Sequence, residues 1–193
     1  LSRGKYDSDL KNLLKNKNVK FIKKDLRKKI ELNIKNPSKG LPDDIFYLVG
    51  RLTPYINVDL LVKNDLGQTL LSWRDETSFN NSVGSGWHIP GGIIRFQETI
   101  SERIREVALS EMGAKLAYHS DQPISVNQIL DYKAKNRSHF ISLLYQCKLE
   151  DNYQINNNGL KEAEIGFLKW HTGVPENLLS NHHIYKKYLT NLE

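Results

Sequence analysis

The sequence has little cysteine and no long hydrophobic run. Cys147 is the only cysteine in 193 residues, which excludes an intrachain disulfide and suits a reducing cytoplasm. Its place in the strand-like run 140–147 favours a small buried hydrophobe over a nucleophile. The longest apolar runs, such as Ile141 to Tyr145, are far too short to span a bilayer, and no signal-peptide pattern opens the sequence. We therefore expect a soluble cytoplasmic protein with no membrane partner.

Basic charge is confined to the first part of the chain. Residues 1–40 contain 13 Lys/Arg against 4 Asp/Glu, a net charge of +9. The whole chain has a net charge of +6, so the remaining residues carry −3. A basic segment can attract nucleic acid. Aromatic residues that could stack on bases are sparse there, namely Tyr6 and Phe21. A solvated helix face is the better interpretation, and we consider a nucleic-acid partner unlikely.

The order of apolar patterns predicts two parts. Residues 1–50 form a basic helical extension whose main helix covers 9–34, with a second short helix from 41 to 52. Such an arm packs on its own domain or on a second subunit, so a homodimer is a hypothesis. Residues 51–193 alternate like strands, with one central helix at 98–112 and a terminal helix at 175–192. This order indicates an α+β domain. The predicted strands cover 55–62 and 69–73 as a hairpin, 87–94 passing into a glycine turn, 115–118, 123–130, 139–149 and 164–171.

Carboxylates follow the glycine pair Gly91-Gly92. The central helix carries glutamates at 98, 102, 106 and 111, and the first three share one helical face because they are four residues apart. Carboxylates beside a bare backbone offer hard oxygen ligands of the kind that magnesium uses with phosphates. The same glutamates could instead pair with the arginines of the segment on a solvated helix surface. The pattern alone leaves both interpretations open.

The segment Gly91 to Gly113, GGIIRFQETISERIREVALSEMG, resembles the Nudix box. The usual Arg-Glu is displaced by one position, and only one glutamate, Glu111, stands where most of the family has two. The GDP-mannose mannosyl hydrolases have a similarly altered box. The segment is similar to theirs without gaps, and weaker similarity extends over roughly residues 53–190. The resemblance implies a Nudix-type α/β/α sandwich with a mixed β-sheet and a hydrolase of a nucleotide sugar such as GDP-mannose.

The resemblance also implies a set of metal and substrate ligands. The Gly91 carbonyl, the Glu111 carboxylate and Glu164 would hold Mg2+ or Mn2+. Arg74 would contact the diphosphate of the substrate, where a planar guanidinium can bridge two oxygens. Two arginines that grip the diphosphate in the branch are replaced here by Ile93 and Glu106, and Arg95 or Arg105 would compensate for them.

The resemblance also implies two catalytic residues, Asp59 and His139. They would lie at the sugar of the substrate or support the catalytic groups. Ile165 occupies the position of the loop histidine that serves the branch as general base, and its side chain cannot accept a proton. Attack of water at phosphorus is then the alternative to attack at the sugar carbon, with Glu106, Glu102 or Glu98 helping to bind metal or activate water. A second hypothesis is a Nudix-fold module that binds a nucleotide without turnover.

Overall fold

The computed structural model describes residues 27–75, 84–132, 134 and 137–190. The chain divides into two compact units, Leu1–Phe46 and Tyr47–Glu193. In the first unit, residues 27–33 are helical, and the earlier part of the helix predicted at 9–34 lies outside the described residues. A short 3-10 helix covers Pro37–Lys39, and helix α1, Asp43–Leu52, begins in this unit. Among the described residues, no helix combines the length and apolar character needed to cross a membrane.

Among its described residues, the second unit contains eight strands and the central helix. The strands are β1 Tyr55–Val62, β2 Thr69–Arg74, β3 Gly86–His88, β4 Gly91–Ile93, β5 Leu116–His119, β6 Ser125–Leu130, β7 His139–Leu149 and β8 Leu168–His171. Helix α2 covers Ile100–Met112, between β4 and β5. A 3-10 helix, Ser180–Tyr185, leads into the short helix α3, Lys186–Leu189.

The strands form two sheets. The five-stranded sheet has the order β4-β1-β7-β5, and β6 pairs with β7 as well. Strands β1 and β7 are parallel and the other pairs are antiparallel, so this sheet is mixed. The three-stranded sheet has the antiparallel order β3-β2-β8. Helix α2 packs against β1 and β4. The α+β architecture with a mixed sheet confirms the predicted fold class.

Two apolar cores lie on opposite sides of β1, because successive strand residues point to opposite faces. Val58, Leu60 and Val62 pack with the buried face of α2. Leu61 faces the other way and packs with Leu71 and Trp87 of the second sheet and with the C-terminal helices. Cys147 belongs to the first core and is buried, and burial raises the pKa of its thiol to about 12. The prediction of a structural cysteine is confirmed.

Helix α2 begins and ends where its capping residues require. Thr99 accepts a hydrogen bond from the Glu102 amide, and the Glu102 carboxylate accepts one from the Thr99 amide, which is a capping box. Gly113 ends the helix with a left-handed φ of 61°, a conformation that glycine adopts without steric cost. The predicted start and stop signals are confirmed to within two residues.

Four local predictions are wrong. Strands β1 and β2 do not form a hairpin and share only the bridge from Lys63 to Thr69, because β1 already pairs with β4 on one edge and β7 on the other. Gly91 and Gly92 lie in strand β4 rather than in a turn. The strand expected at 164–171 begins only at Leu168, after a series of turns. The terminal helix expected at 175–192 is reduced to a 3-10 helix and one α-helical turn.

Candidate active site

A cavity of about 530 Å³ opens between the C-terminal end of α2, strand β2 and the segment 153–166. Two contacts hold its walls together. The Tyr153 hydroxyl donates to the Met112 carbonyl at 2.9 Å, which joins the segment to the end of α2. Asn157 exchanges two hydrogen bonds with the backbone of Leu168, which joins the same segment to β8. The segment therefore forms a fixed wall of the cavity.

Three ionisable side chains lie together on this cavity: Arg74, His88 and Glu111. Arg74 ends β2, His88 ends β3, and Glu111 lies in the last turn of α2. An Arg74 guanidinium nitrogen, Nη2, is 3.1 Å from Nε2 of His88. The same ring nitrogen is 3.8 Å from Oε2 of Glu111, whose side chain is 28% exposed. One cation, one carboxylate and one imidazole thus face a single cavity.

His88 is buried although it lines the cavity. Burial is the main cause that lowers the pKa of its imidazole below the usual range, and the positive charge of Arg74 acts in the same direction. Contacts with Glu111 oppose this shift. The result is a neutral imidazole at neutral pH.

Asp59 lies beneath the site in β1 and does not line the cavity. Its carboxylate accepts hydrogen bonds from the Asn57 amide at 3.0 Å, from the Tyr185 hydroxyl at 2.6 Å and from the Ser142 hydroxyl. Burial raises the pKa of Asp59 to about 6, against the effect of these hydrogen bonds, and the charge of Glu111 raises it further. Burial and the charge of Asp59 also raise the pKa of Tyr185. Asp59 therefore supports the site from below rather than contacting the space where a substrate would bind.

A line of buried rings connects the cavity to Asp59. The His88 and His182 ring centroids are 5.7 Å apart, and those of His182 and Tyr185 are 5.6 Å apart. The Ile89 amide donates to Nδ1 of His182 at 3.4 Å, and Tyr185 reaches Asp59. Burial lowers the pKa of His182 well below its usual range, so this ring is neutral too.

Gly91 lies opposite Asp59 in the register of β4 and β1. A Cβ atom at this position would meet the Asp59 carboxylate and would lie 2.8 Å from the Val58 carbonyl, so no side chain fits. The close approach of β1 therefore explains the glycine, and Gly91 does not itself line the cavity. Within the described ranges, no group of three or more His, Cys, Asp and Glu side chains converges as a metal site. The cavity offers the single carboxylate of Glu111 among the described residues, which fits a Mg2+ ion that is held mainly by water and substrate phosphates.

The other glutamates of the box have structural roles. Glu98 makes two hydrogen bonds to Arg103 at 2.8 and 2.6 Å, and the two side chains are only 11% and 8% exposed. Glu102 forms the capping box. Glu106 is exposed, does not line the cavity, and only its backbone carbonyl is engaged, by the Ser110 hydroxyl at 2.6 Å. The alternative interpretation of the helix, with glutamates paired to arginines, therefore applies to Glu98 but not to Glu111.

Three further residues of the expected site lie away from the cavity. His139 contacts Gln128 at 3.0 Å, and the strand registers place it on the face of the five-stranded sheet opposite Asp59. Arg95 is exposed, and its backbone amide donates to Glu98. Glu164 is exposed and accepts a hydrogen bond from the Lys161 amide at 3.0 Å. Its neighbour Ile165 does line the cavity.

Sequence reasoning missed His88, His182 and Tyr185 as parts of the site. Of these three residues, only His88 could have been found from the sequence. It is a histidine between Trp87 and Ile89, in a strand that is otherwise apolar and buried. The other two could not be found from their positions, since only folding brings the C-terminal segment beneath β1.

Solved structures of known proteins define the class of this fold. The MutT Nudix hydrolase from Burkholderia pseudomallei matches with a TM-score of 0.54 at 18% identity, over 72% of this chain and 99% of that chain. A UDP-X diphosphatase matches with a TM-score of 0.50 at 18% identity, over 91% of this chain and 80% of that one. The protein therefore has the Nudix fold, as the resemblance of its sequence implied.

Among individual proteins, the sequence is similar to the low-salt glycan biosynthesis protein Agl8 of Haloferax volcanii. The two are 24% identical over 118 residues, which is 60% of this chain and 72% of that protein. No protein-family profile matches the sequence.

Proposed function

We propose that this protein is a metal-dependent hydrolase of a nucleoside diphosphate derivative, with a nucleoside diphosphate sugar as its substrate. The observation that carries the proposal is the cavity that Arg74 and Glu111 both line, close to Nε2 of His88. A guanidinium is suited to the two oxygens of a diphosphate, and a carboxylate is suited to the cation that accompanies it. The names of two similar proteins, a UDP-X diphosphatase and a glycan biosynthesis protein, agree with this substrate class.

The roles of the residues follow from their chemistry. Arg74 would bind the phosphates, while Glu111 and the Gly91 carbonyl would hold Mg2+ or Mn2+. When bound, the cation neutralises phosphate charge and polarises the bond to be broken. Asp59 would hold β4 and the Gly91 backbone in place from below. Glu106, Arg95, His139 and Glu164 do not line the cavity and are left out of this set. Gly91 does not line it either, and its carbonyl is kept on the resemblance of the sequence alone.

The site of attack follows from Ile165. This residue lines the cavity where a base for attack at the sugar carbon was expected, and its hydrocarbon side chain cannot accept a proton. We therefore propose attack of water at phosphorus, which yields a nucleoside monophosphate and a sugar phosphate. The products test this directly, since attack at the sugar carbon would release a nucleoside diphosphate instead.

The decisive experiment is a panel of nucleoside diphosphate sugars, including GDP-mannose, incubated with Mg2+ or Mn2+ and analysed for products. Glu111→Gln should reduce turnover by more than ~100-fold, because changes in the outer shell of metal sites alone cost about 10–100-fold. Glu106→Gln is the matched control, since it alters an exposed carboxylate of the same helix. Equal losses in both variants would place the site elsewhere.

A binding module without turnover is the second candidate function. It is favoured by the same Ile165 and by the single carboxylate of the cavity. Magnesium-dependent nucleotide binding without any product after long incubation would support this candidate over hydrolysis.

The homodimer through residues 1–50 is a separate proposal, based on the predicted apolar stripe of that extension. Sedimentation of the full-length chain and of a chain lacking residues 1–40 measures it directly. An unchanged oligomeric state after the deletion contradicts the dimer proposal.

A further inference from the structure

Strand β6 forms an open edge of the five-stranded sheet. It pairs with β7 over Ser125–Leu130, and no other strand of the described residues pairs with it. The Asp131 amide donates to the Ser138 carbonyl at 2.7 Å, in the same register as the strand pair. Because backbone groups alternate between the two edges of an antiparallel strand, the even-numbered residues of β6 direct their N–H and C=O groups away from β7. In the part of the chain that the structure describes, these outward groups have no backbone partner.

Large apolar side chains are exposed along this edge. They are Ile124, Val126, Leu130 and Tyr132, which are 37, 62, 44 and 91% exposed. The strand itself, SVNQIL, contains neither a charged residue nor a proline. Charged residues and proline are common means by which proteins protect an edge strand from pairing. This edge lacks that protection and is suited to pair with another strand.

The pattern of the edge is complementary to itself. In an antiparallel pair centred on Gln128, Val126 of one copy lies opposite Leu130 of the other. In the same register Ile124 lies opposite Tyr132, so all the large apolar side chains of the edge find an apolar counterpart. The two Gln128 amides meet at the centre, where each can donate to the other. The outward backbone groups of the two strands also face one another in this register.

The charges near the edge fit a second copy as well. Asp131 is the first charged residue after β6, and in this register it lies opposite Ser125 of the other copy. The Asp131 residues of the two copies are then six positions apart (131 − 125), which is about 20 Å at ~3.4 Å per residue. This separation exceeds the Debye length of ~8 Å at physiological salt, so their repulsion is screened. Pairing of two copies therefore joins apolar groups without joining like charges.

We propose that β6 is an interface at which a second copy of this chain adds its own β6, antiparallel about Gln128. The contact uses the same edge on both copies, so it closes as a dimer and does not continue as a fibre. This surface belongs to the second unit and differs from the contact proposed through residues 1–50.

Sedimentation of the full-length chain over micromolar to millimolar concentrations tests the interface. Val126→Lys should raise the dissociation constant of the pairing more than ~100-fold, because it buries an unpaired charge in each half of the interface. The mass of the largest species should then fall to half. Tyr118→Lys is the matched control, since it places a lysine at an exposed apolar position of β5 in the same sheet, and it should leave the mass unchanged.

A double variant tests the register. In Val126→Lys/Leu130→Glu, each introduced lysine lies opposite an introduced glutamate of the other copy, so the dissociation constant should return to within about tenfold of the wild type. The two positions are four residues apart on one strand, about 13 Å, which is too far for an ion pair within a copy. Recovery would therefore report pairing between copies.

Cross-linking at the centre of the register gives an independent measurement. Residues directly opposite in a hydrogen-bonded antiparallel pair have Cα atoms about 5.5 Å apart, within the range of a disulfide. Gln128→Cys should therefore form a disulfide-linked dimer on mild oxidation, while the native Cys147 is buried. Asp65→Cys, in an exposed turn, is the control and should form far less. An unchanged mass in Val126→Lys, no recovery in the double variant, or equal cross-linking of the two cysteine variants would overturn the proposal.

Discussion

Asp59→Asn replaces a buried titratable group by a neutral group of the same size. The asparagine oxygen can accept from both Ser142 and Tyr185. Its amide would face Asn57, whose own side-chain oxygen is buried without a hydrogen-bond partner among the described residues. Rotation of the Asn57 amide pairs its oxygen with the new amide and turns its NH2 group to the position that lacks a partner, so the number of unpaired groups on Asn57 stays the same.

The expected size of the effect follows from the pKa of Asp59. Burial raises this pKa from its ordinary value of 3.8 to about 6. Because one pKa unit corresponds to ~1.36 kcal/mol, the shift amounts to roughly 3 kcal/mol. A carboxyl group with a raised pKa favours the folded state below pH 3.8, and that stabilisation is lost as the pH rises through about 6. Asparagine has no such loss.

The assay is urea unfolding of the wild type and of Asp59→Asn across this pH range, in EDTA, followed by tryptophan fluorescence. The free energy of unfolding of the variant, relative to that of the wild type, should rise by roughly 3 kcal/mol between about pH 3.8 and 6. Asp65→Asn, in an exposed turn, is the matched control and should show no comparable rise.

A difference that is independent of pH would refute the argument, because Asp59 would then titrate alike in the folded and unfolded chains. A difference that falls as the pH rises would show the opposite sign, with the hydrogen bonds from Ser142 and Tyr185 outweighing burial.

Three further predictions concern the helix and the glycine strand. Arg103→Met should lower the free energy of unfolding by about 3–5 kcal/mol in urea, because it leaves the Glu98 carboxylate buried and without its ion-pair partner. The double variant Arg103→Met/Glu98→Leu should recover most of that loss. Thr99→Ala should cost about 1 kcal/mol by removing the capping box, and a loss near zero would mean that water replaces the cap. Gly91→Ala should cost about 1–3 kcal/mol by forcing β4 away from Asp59, and a stability equal to that of the wild type would contradict the close approach.

Local signals in the sequence predicted much of the fold. The bounds of β1 and β7 agree with their alternating patterns, and α2 lies between Thr99 and Gly113 as its capping signals indicated. The pairing of strands is not local, so a turn between β1 and β2 was interpreted as a hairpin. The parallel pairing of β1 with β7 decided the outcome, and it depends on residues more than eighty positions apart along the chain, such as Val58 and Leu143.

The candidate site was only partly predictable for the same reason. Arg74 and Glu111 came from matched motif positions, and the structure brings them to one cavity. Spacing alone put Glu111 on a different helical face from Glu106, but it could not show which of the two faces the cavity, because that depends on what the helix packs against. Likewise, spacing alone could not show that His139 does not line the cavity and lies on the face of the sheet opposite Asp59.

The hydrogen bond from Tyr185 to Asp59 has a consequence for the order of assembly. The two residues are 126 positions apart in the sequence, so Asp59 is synthesised long before its partner. At about 5–20 residues per second, the delay on the ribosome is on the order of ten seconds. During this time the Asp59 carboxylate lacks one of its donors and the second core lacks its C-terminal residues. The support that Tyr185 and Asp59 give to the site from below is therefore among the last parts of the molecule to be completed.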